Sequence, residues 1–294
     1  AIPSRSHQSI PVGPGLAGTG LGYDLSRSFA PLMSVATPSR WIKRRPQFKF
    51  TEAIKFYLRW RPDSSAIHML SISAVDNWRT SHPGAVIGLL ELSGIENTHS
   101  SPKLDERKRE TEARLRERYK GFTRQDFLSL PVMSDYERYY KGFNKTYHVQ
   151  LQVESIVLKG KNLPDVSPLV DSNFMAEVEL LVLTAGHDVA KLHGPILVDV
   201  SREGDRITRM DGASKAIRAG DMIMRDANGV CCSIIYGQDD RSLISSQTSR
   251  VLYVAYAPAG VPSETVDAQL RRIEENIRLF SPTAIVEQHE LLSA

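Results

Sequence analysis

The alternation of apolar and polar positions is clearest near the end of the chain. Val266, Leu270, Ile273, Ile277 and Phe280 recur at spacings of four and three, which predicts an amphipathic helix with one buried stripe. Short apolar runs at 67–74 and 85–92 are separated by a His-Pro-Gly turn and predict two strands. Further strands are expected at 196–200 and 251–256. Residues 222–225 and 230–236 flank Asn228-Gly229, the dipeptide preferred in tight hairpins because both central positions need positive φ. Residues 103–119 are densely charged, with Leu104, Leu115 and Tyr119 as apolar contacts, and Glu110/Arg114 and Glu112/Arg116 fall at i,i+4, which predicts an exposed helix. A helix over 134–142 would present Tyr136, Tyr139, Tyr140 and Phe143. Another is expected over 174–184, capped by Asp171 or Ser172, carrying Phe174, Met175, Val178, Leu181 and Val182, and ended by Gly186 in the left-handed conformation. Helices and strands mixed in this way, with a hairpin, predict an α+β fold with mixed or antiparallel sheets and packed helices.

Composition changes this picture at one end only. Residues 1–63 are rich in Ser, Pro and Gly and hold ten Lys/Arg against three Asp/Glu, a net of +7, whereas the remaining 231 residues hold 27 against 31, a net of −4. The expected organisation is a flexible basic leader over 1–63, one domain over 64–285 and a short tail over 286–294. Gly13, Gly15, Gly18, Gly20 and Gly22 do not form a phosphate loop, because no strand precedes them and no Gly-Lys-Ser/Thr closes them. A net-negative domain lacks the broad basic field of a sequence-blind nucleic-acid binder. No apolar run reaches the eighteen or so residues that span a bilayer. The two cysteines, Cys231 and Cys232, are adjacent and fit strand packing in a reducing compartment, so a cytoplasmic protein is expected. Neither a metal nor a cofactor is implied by any ligand spacing.

Four polar groupings carry candidate chemistry, and each has a plainer reading beside it. Lys159 and Lys161, within Lys159-Gly160-Lys161-Asn162-Leu163-Pro164, form either a cationic lip or a helix end where lysines suit the negative pole. Asp171 and Asn173 either cap a helix or line a cavity at its N-terminus, where carboxylates and phosphates are attracted. His187 beside Asp188, after Gly186, has the makings of a proton shuttle or of local hydrogen bonding alone. In Gln238-Asp239-Asp240-Arg241, adjacent side chains on extended backbone point to opposite faces, so one aspartate can meet a pocket while the other meets Arg241 or solvent.

The order of these groupings resembles the B3/B4 domain of the phenylalanyl-tRNA synthetase β subunit, particularly stand-alone proteins built from that domain. The landmarks are Val75-Asp76-Asn77-Trp78, Gly94-Ile95-Glu96-Asn97, the 159–164 run and Leu169-Val170-Asp171-Ser172-Asn173. They continue through Gly186-His187-Asp188, Lys191-Leu192-His193-Gly194, Asp240-Arg241 and Thr248-Ser249-Arg250-Val251-Leu252. The resemblance implies a tRNA-interacting domain that hydrolyses a misacylated aminoacyl-tRNA at its 3′ end. On that reading Asp240 and His187 are catalytic, with Asp240 reading the substrate's amino acid. Asp171, Asn173, Gly186, Asp188 and Arg241 bind substrate, and Lys159 and Lys161 bind tRNA. Two departures accompany it: Asp240 is shorter than the family's glutamate, and Ala185 stands where the family's editing histidine does. The alternatives are a non-catalytic RNA-binding module and a pocket for a free amino acid or related metabolite, with no membrane partner in either case.

Overall fold

The computed structural model describes residues 70–97 and 101–294, all within one compact unit, Arg61–Ala294. The expected leader, with its glycine string and basic run, lies outside the described residues. Two sheets organise the rest. One has the strand order β11-β2-β10-β3, from Ile285–Ser293, Val86–Ser93, Val251–Ala257 and Thr184–Asp188, with every neighbour antiparallel. The other runs β1-β4-β7-β8-β9, from Ile72–Ala74, Ile196–Val200, Met222–Asp226, Gly229–Ser233 and Gly237–Gln238. Only its β1–β4 pair is parallel. A small hairpin, β5 (Arg206–Thr208) with β6 (Ser214–Ala216), forms a third sheet and meets the second through Ile207, which packs with Ile223 and Val230. The architecture is α+β.

The core follows from the strand and helix patterns. All seven residues of β10 are buried, so it is covered on both faces, as its unbroken apolar run requires. The terminal helix, Ser263–Arg278, lays Val266, Leu270, Ile273 and Ile277 on the sheet with no exposure. It sits so close to β2 that a Cβ on Gly88 would stand 2.7 Å from Val266 Cγ1, and Gly88 is therefore a contact requirement.

Helix Pro131–Lys141 joins the two sheets through its tyrosines. Tyr136 Oη donates to the Tyr256 carbonyl on β10 (2.6 Å), and Tyr140 Oη donates to the Ile234 carbonyl beyond β8 (2.6 Å). Tyr139 Oη donates to Asp221 Oδ1 (2.7 Å) at the start of β7. Tyr147 stacks on Tyr136 at 4.1 Å and donates to the Leu181 carbonyl. Each hydroxyl is buried with a partner, which is what lets these rings sit in the core. Cys231 and Cys232 are unpaired and buried in β8, in the packing role expected for them.

Several expectations need correction. The two strands expected about the His-Pro-Gly turn are β1 and β2, but the turn is not all that separates them. Residues Asp76–Ser81 form helix α1, which carries β1 and β2 into different sheets. The expected tail is strand β11, paired with β2 along its length. The helix placed at 174–184 is Pro168–Leu180, with Ser167 as N-cap and Pro168 in its first turn, so Asp171, Ser172 and Asn173 lie inside it. It ends at Leu181, which takes the left-handed conformation (φ 66°) expected of Gly186, and Gly186 is in strand β3. A serine before a proline was the stronger start signal, and an apolar residue supplied the cap because Leu181 is itself buried.

Candidate functional site

Helices are numbered in chain order from here: α2 is Pro102–Arg118, α3 Arg124–Leu128, α4 Pro131–Lys141, α5 His148–Val157, α6 Pro168–Leu180 and α7 Ser263–Arg278. A cleft of about 590 Å³ opens at the N-terminus of α6, with α2 on one side and Ser246 on another. Arg109, Asp105, Asp165 and Asp171 supply its charge, and Leu104, Val166 and Pro168 its apolar wall.

Lys108 organises this cleft from behind. Its side chain is buried, and Nζ donates to the Pro164 carbonyl (3.0 Å), Asp165 Oδ1 (2.6 Å) and Asp171 Oδ2 (2.6 Å). All three ammonium protons are thus used. Asp171 Oδ1 accepts the Val166 N–H (3.0 Å), which closes the loop onto the helix. Burial pushes the Asp171 carboxyl upward, with Lys108 and the Val166 N–H opposing. Asp165 is mostly exposed and is held below the usual carboxylate range by the Lys108 hydrogen bond. The signal for Lys108 was present in the sequence: Leu104, Lys108, Thr111, Leu115 and Tyr119 form one helical stripe, and all five are buried.

The 159–166 segment runs beside α2 and is tied to it. Arg116 donates to the Lys161 carbonyl and to Asn162 Oδ1, both at 3.0 Å, and Glu112 Oε1 accepts the Leu163 N–H at 2.7 Å. Gly160 takes φ 63°, as the helix-end reading required. Lys159 and Lys161 are exposed, with no side-chain partner among the described residues. The arginines of α2 have other duties: Arg109 pairs with Glu112, and Arg114 with Glu179. That helix is therefore a packed element with a buried face.

The second cluster surrounds β3. His187 and Ala185 lie two apart on the strand and share a face. The ring of His187 has no exposed surface, and its Nδ1 lies 2.7 Å from Ser242 Oγ. Ser242 Oγ donates to Asp239 Oδ1 (2.5 Å), and Ser242 N–H donates to the same oxygen (3.1 Å). Gln238 Nε2 donates to the Gly186 carbonyl (2.8 Å) and the Ser242 carbonyl (3.1 Å). His187 Nε2 is buried and has no partner among the described residues. Burial drives the imidazole down to about 3, against the field of Asp226, so the ring is neutral across the physiological range.

Segment 242–250 covers β3 residue by residue. Ser242 meets His187, and the Asp188 N–H donates to the Ser242 carbonyl (2.9 Å). Ile244 Cδ1 would stand 2.9 Å from a Cβ on Gly186, so only glycine fits beneath it. Thr248 Oγ1 donates to Asp188 Oδ2 (2.8 Å). Ser246 of the same segment lines the cleft, so one strap touches both clusters.

The candidate residues therefore divide. Asp171 reaches the cleft. Asn173 turns inward, donating to the Thr184 carbonyl (2.8 Å), and Gly186, His187 and Asp188 lie beneath the strap. Of the adjacent aspartates, Asp239 is buried and Asp240 exposed, so the alternation holds and the inward carboxylate is Asp239. Burial pushes Asp239 upward, with the Ser242 hydrogen bonds and Arg241 opposing. Arg241 bridges Asp239 (2.8 Å) and Asp226 (3.3 Å), an internal clamp.

Residues 135–276 match the family model of the B3/4 domain. His187, Asp239, Ser242 and the α6 end of the cleft fall within the matched residues, and the α2 side of the cleft precedes them. No curated protein matches the chain. Among solved structures it is similar to an N-terminal fragment of the phenylalanyl-tRNA synthetase β subunit from Pyrococcus horikoshii, at a TM-score of 0.38 and 8% identity, over 74% of this chain and 54% of that one. The chain thus spans about half the length of that fragment. Among the described residues, no helix is long and apolar enough to cross a membrane.

Proposed function

We propose that this B3/4 domain binds the aminoacylated 3′ end of a tRNA and hydrolyses a misattached amino acid in trans. The observation that carries the reading is the pairing of a polar cleft with two unpartnered lysines on an anchored loop. Lys159 and Lys161 lie beyond Arg116, about two helical turns along α2 from Lys108, or roughly 12 Å. They suit phosphates that position the RNA without reading its sequence. The cleft volume accommodates a nucleoside with an attached amino acid.

An aminoacyl ester is already activated, so orienting a water supplies much of what hydrolysis needs. The water adds to the ester carbonyl, the carbon–oxygen bond to the ribose breaks, and the products are a free amino acid and an intact 3′ end. A neutral imidazole with a free Nε2 orients such a water by accepting its hydrogen bond. Because His187 is sealed, the 242–250 strap must yield for the ester to reach it. Asp171 then borders the bound ligand, and Asp240 stands at the exposed end of the Gln238–Arg241 segment. Two buried free thiols fit a cytoplasmic setting.

A deacylation assay over a panel of mischarged tRNAs tests the reading, with release above buffer expected for at least one. No release from any would remove it. The mixed charge of the cleft, Arg109 facing Asp105 and Asp165, favours a second reading, a site for a free zwitterionic amino acid. Thermal-shift screening with amino acids, with and without tRNA, separates the two.

A further inference from the structure

The donors and acceptors around His187 leave one consistent assignment. An ionised Asp239 only accepts, so both Ser242 groups that face Oδ1 donate to it. The Ser242 hydroxyl proton is thereby spent, and its oxygen can only accept from His187 Nδ1 at 2.7 Å. The Gln238 amide nitrogen, which also approaches Nδ1 at 3.3 Å, is committed to the Gly186 and Ser242 carbonyls. Nδ1 therefore carries the proton, and Nε2 presents a bare lone pair that no group among the described residues meets. A buried acceptor without a donor is destabilising, so it persists where something else is gained.

We propose that Asp239 and Ser242 are positioning residues that hold His187 as the Nδ1–H tautomer, keeping Nε2 as a buried acceptor for a neutral O–H donor. The hydrolytic reading enters only in identifying that donor with the attacking water. Asp239 acts through Ser242 and touches no ligand. This arrangement differs from a nucleophilic serine triad, because the serine sits between the carboxylate and the imidazole and its proton points away from the ring.

The test is nitrogen NMR of the full chain labelled at histidine, with the other seven histidines as an internal check on folding. In the native chain, His187 should show a protonated Nδ1 and a bare Nε2. Ser242→Ala removes the oxygen that accepts the Nδ1 proton, and with it the preference for Nδ1–H, so the ring should shift to Nε2–H, the tautomer an unconstrained neutral histidine favours. Asp239→Ala frees the serine proton to turn toward Nδ1, with the same switch expected. Ser242→Thr keeps the oxygen and should keep the native tautomer. A native Nε2–H ring overturns the proposal, as does a native tautomer retained in both folded alanine variants. Should both alanine variants unfold, the native tautomer alone decides. If the native chain deacylates tRNA, Ser242→Ala should lower kcat about tenfold or more with KM unchanged. A tautomer switch in a chain with no deacylation would sink the hydrolytic reading and leave the positioning role standing.

Discussion

The two polar clusters that the 242–250 strap touches solve the same problem in opposite ways. At the α6 cleft, charge is kept: a buried ammonium is surrounded by two carboxylates and a carbonyl, and every proton has an acceptor. Beneath the strap, burial holds the imidazole neutral and leaves one acceptor unmet. The open cluster can exchange partners with an incoming charged group, because Asp165 is mostly in solvent. The sealed cluster offers one directional hydrogen bond. A site that binds a charged chain and acts on an uncharged ester needs both kinds of surface, close together and separately controlled.

Removing the cation from the open cluster is the harshest way to break this comparison. Lys108→Met leaves Asp171 buried without its partner, and unfolding in denaturant should show a loss of about 3–5 kcal/mol. The cost should be smaller at pH 5 than at pH 8. Without Lys108, only the Val166 N–H opposes burial at Asp171 and its pKa rises further; the unfolded carboxyl ionises first, and stability falls as pH rises between the two values. Adding Asp171→Asn should recover at least half of the loss, because a neutral amide needs no counter-ion. Failure of that rescue would mean that Lys108 acts mainly through Asp165 and the Pro164 carbonyl.

Burial acts on other titrating groups of the core in the same way. Glu177, on α6, accepts the Thr184 N–H from β3 (2.8 Å), and burial raises it to about 8. Burial likewise raises Asp221 to about 7 and lowers His148 to about 4. For Glu177 the folded pKa exceeds the unfolded one, so its contribution is full below about 4.5 and is lost as pH rises toward 8. For His187 and His148 the folded values are depressed from 6.5, so their part of the stability is lost as pH falls below about 6.5. Between pH 6.5 and 8 the carboxyls push stability down while the histidines oppose them at the lower end, so the decline should steepen toward pH 8. Glu177→Gln keeps the Thr184 contact and removes one titration, which should flatten that decline by roughly 1–2 kcal/mol over the interval. Denaturant midpoints at half-unit pH steps measure it, and an unchanged slope would refute the assignment.

Most of the elements were legible in the sequence, and the sites were legible in part. Strand Ile196–Val200 and the terminal helix followed their periods, because each packs on the face its pattern marks. The start of α6 was misplaced because Asp171 and Ser172 are good caps and Ser167 before Pro168 is a better one. The burial of Asp171 against Lys108 was invisible without the partner helix. The Asp239/Asp240 alternation was readable, but which member faces inward depends on the Ser242 contact three residues later. Gly186 read as a helix end because glycine serves there, whereas its role is to admit Ile244 and Tyr253. Local signals predicted local structure; the identity of a site residue depended on a neighbour distant in sequence.

The gentlest test separates the rim from the cleft. Lys159 and Lys161 are exposed on a loop whose backbone is held by Arg116 and Glu112, so replacing both with alanine should change unfolding free energy by less than about 0.5 kcal/mol. If they meet phosphates, tRNA affinity should fall equally for every tRNA, and the slope of log affinity against log salt should shrink by about 1 to 2. Asp240→Ala, exposed at the far end of the Gln238–Arg241 segment, is the matched control on the other cluster and should leave that slope unchanged. A salt slope that the double lysine variant does not alter would show that any RNA contact runs elsewhere. The cleft would then be left to a small zwitterion, whose binding the same variant should not touch.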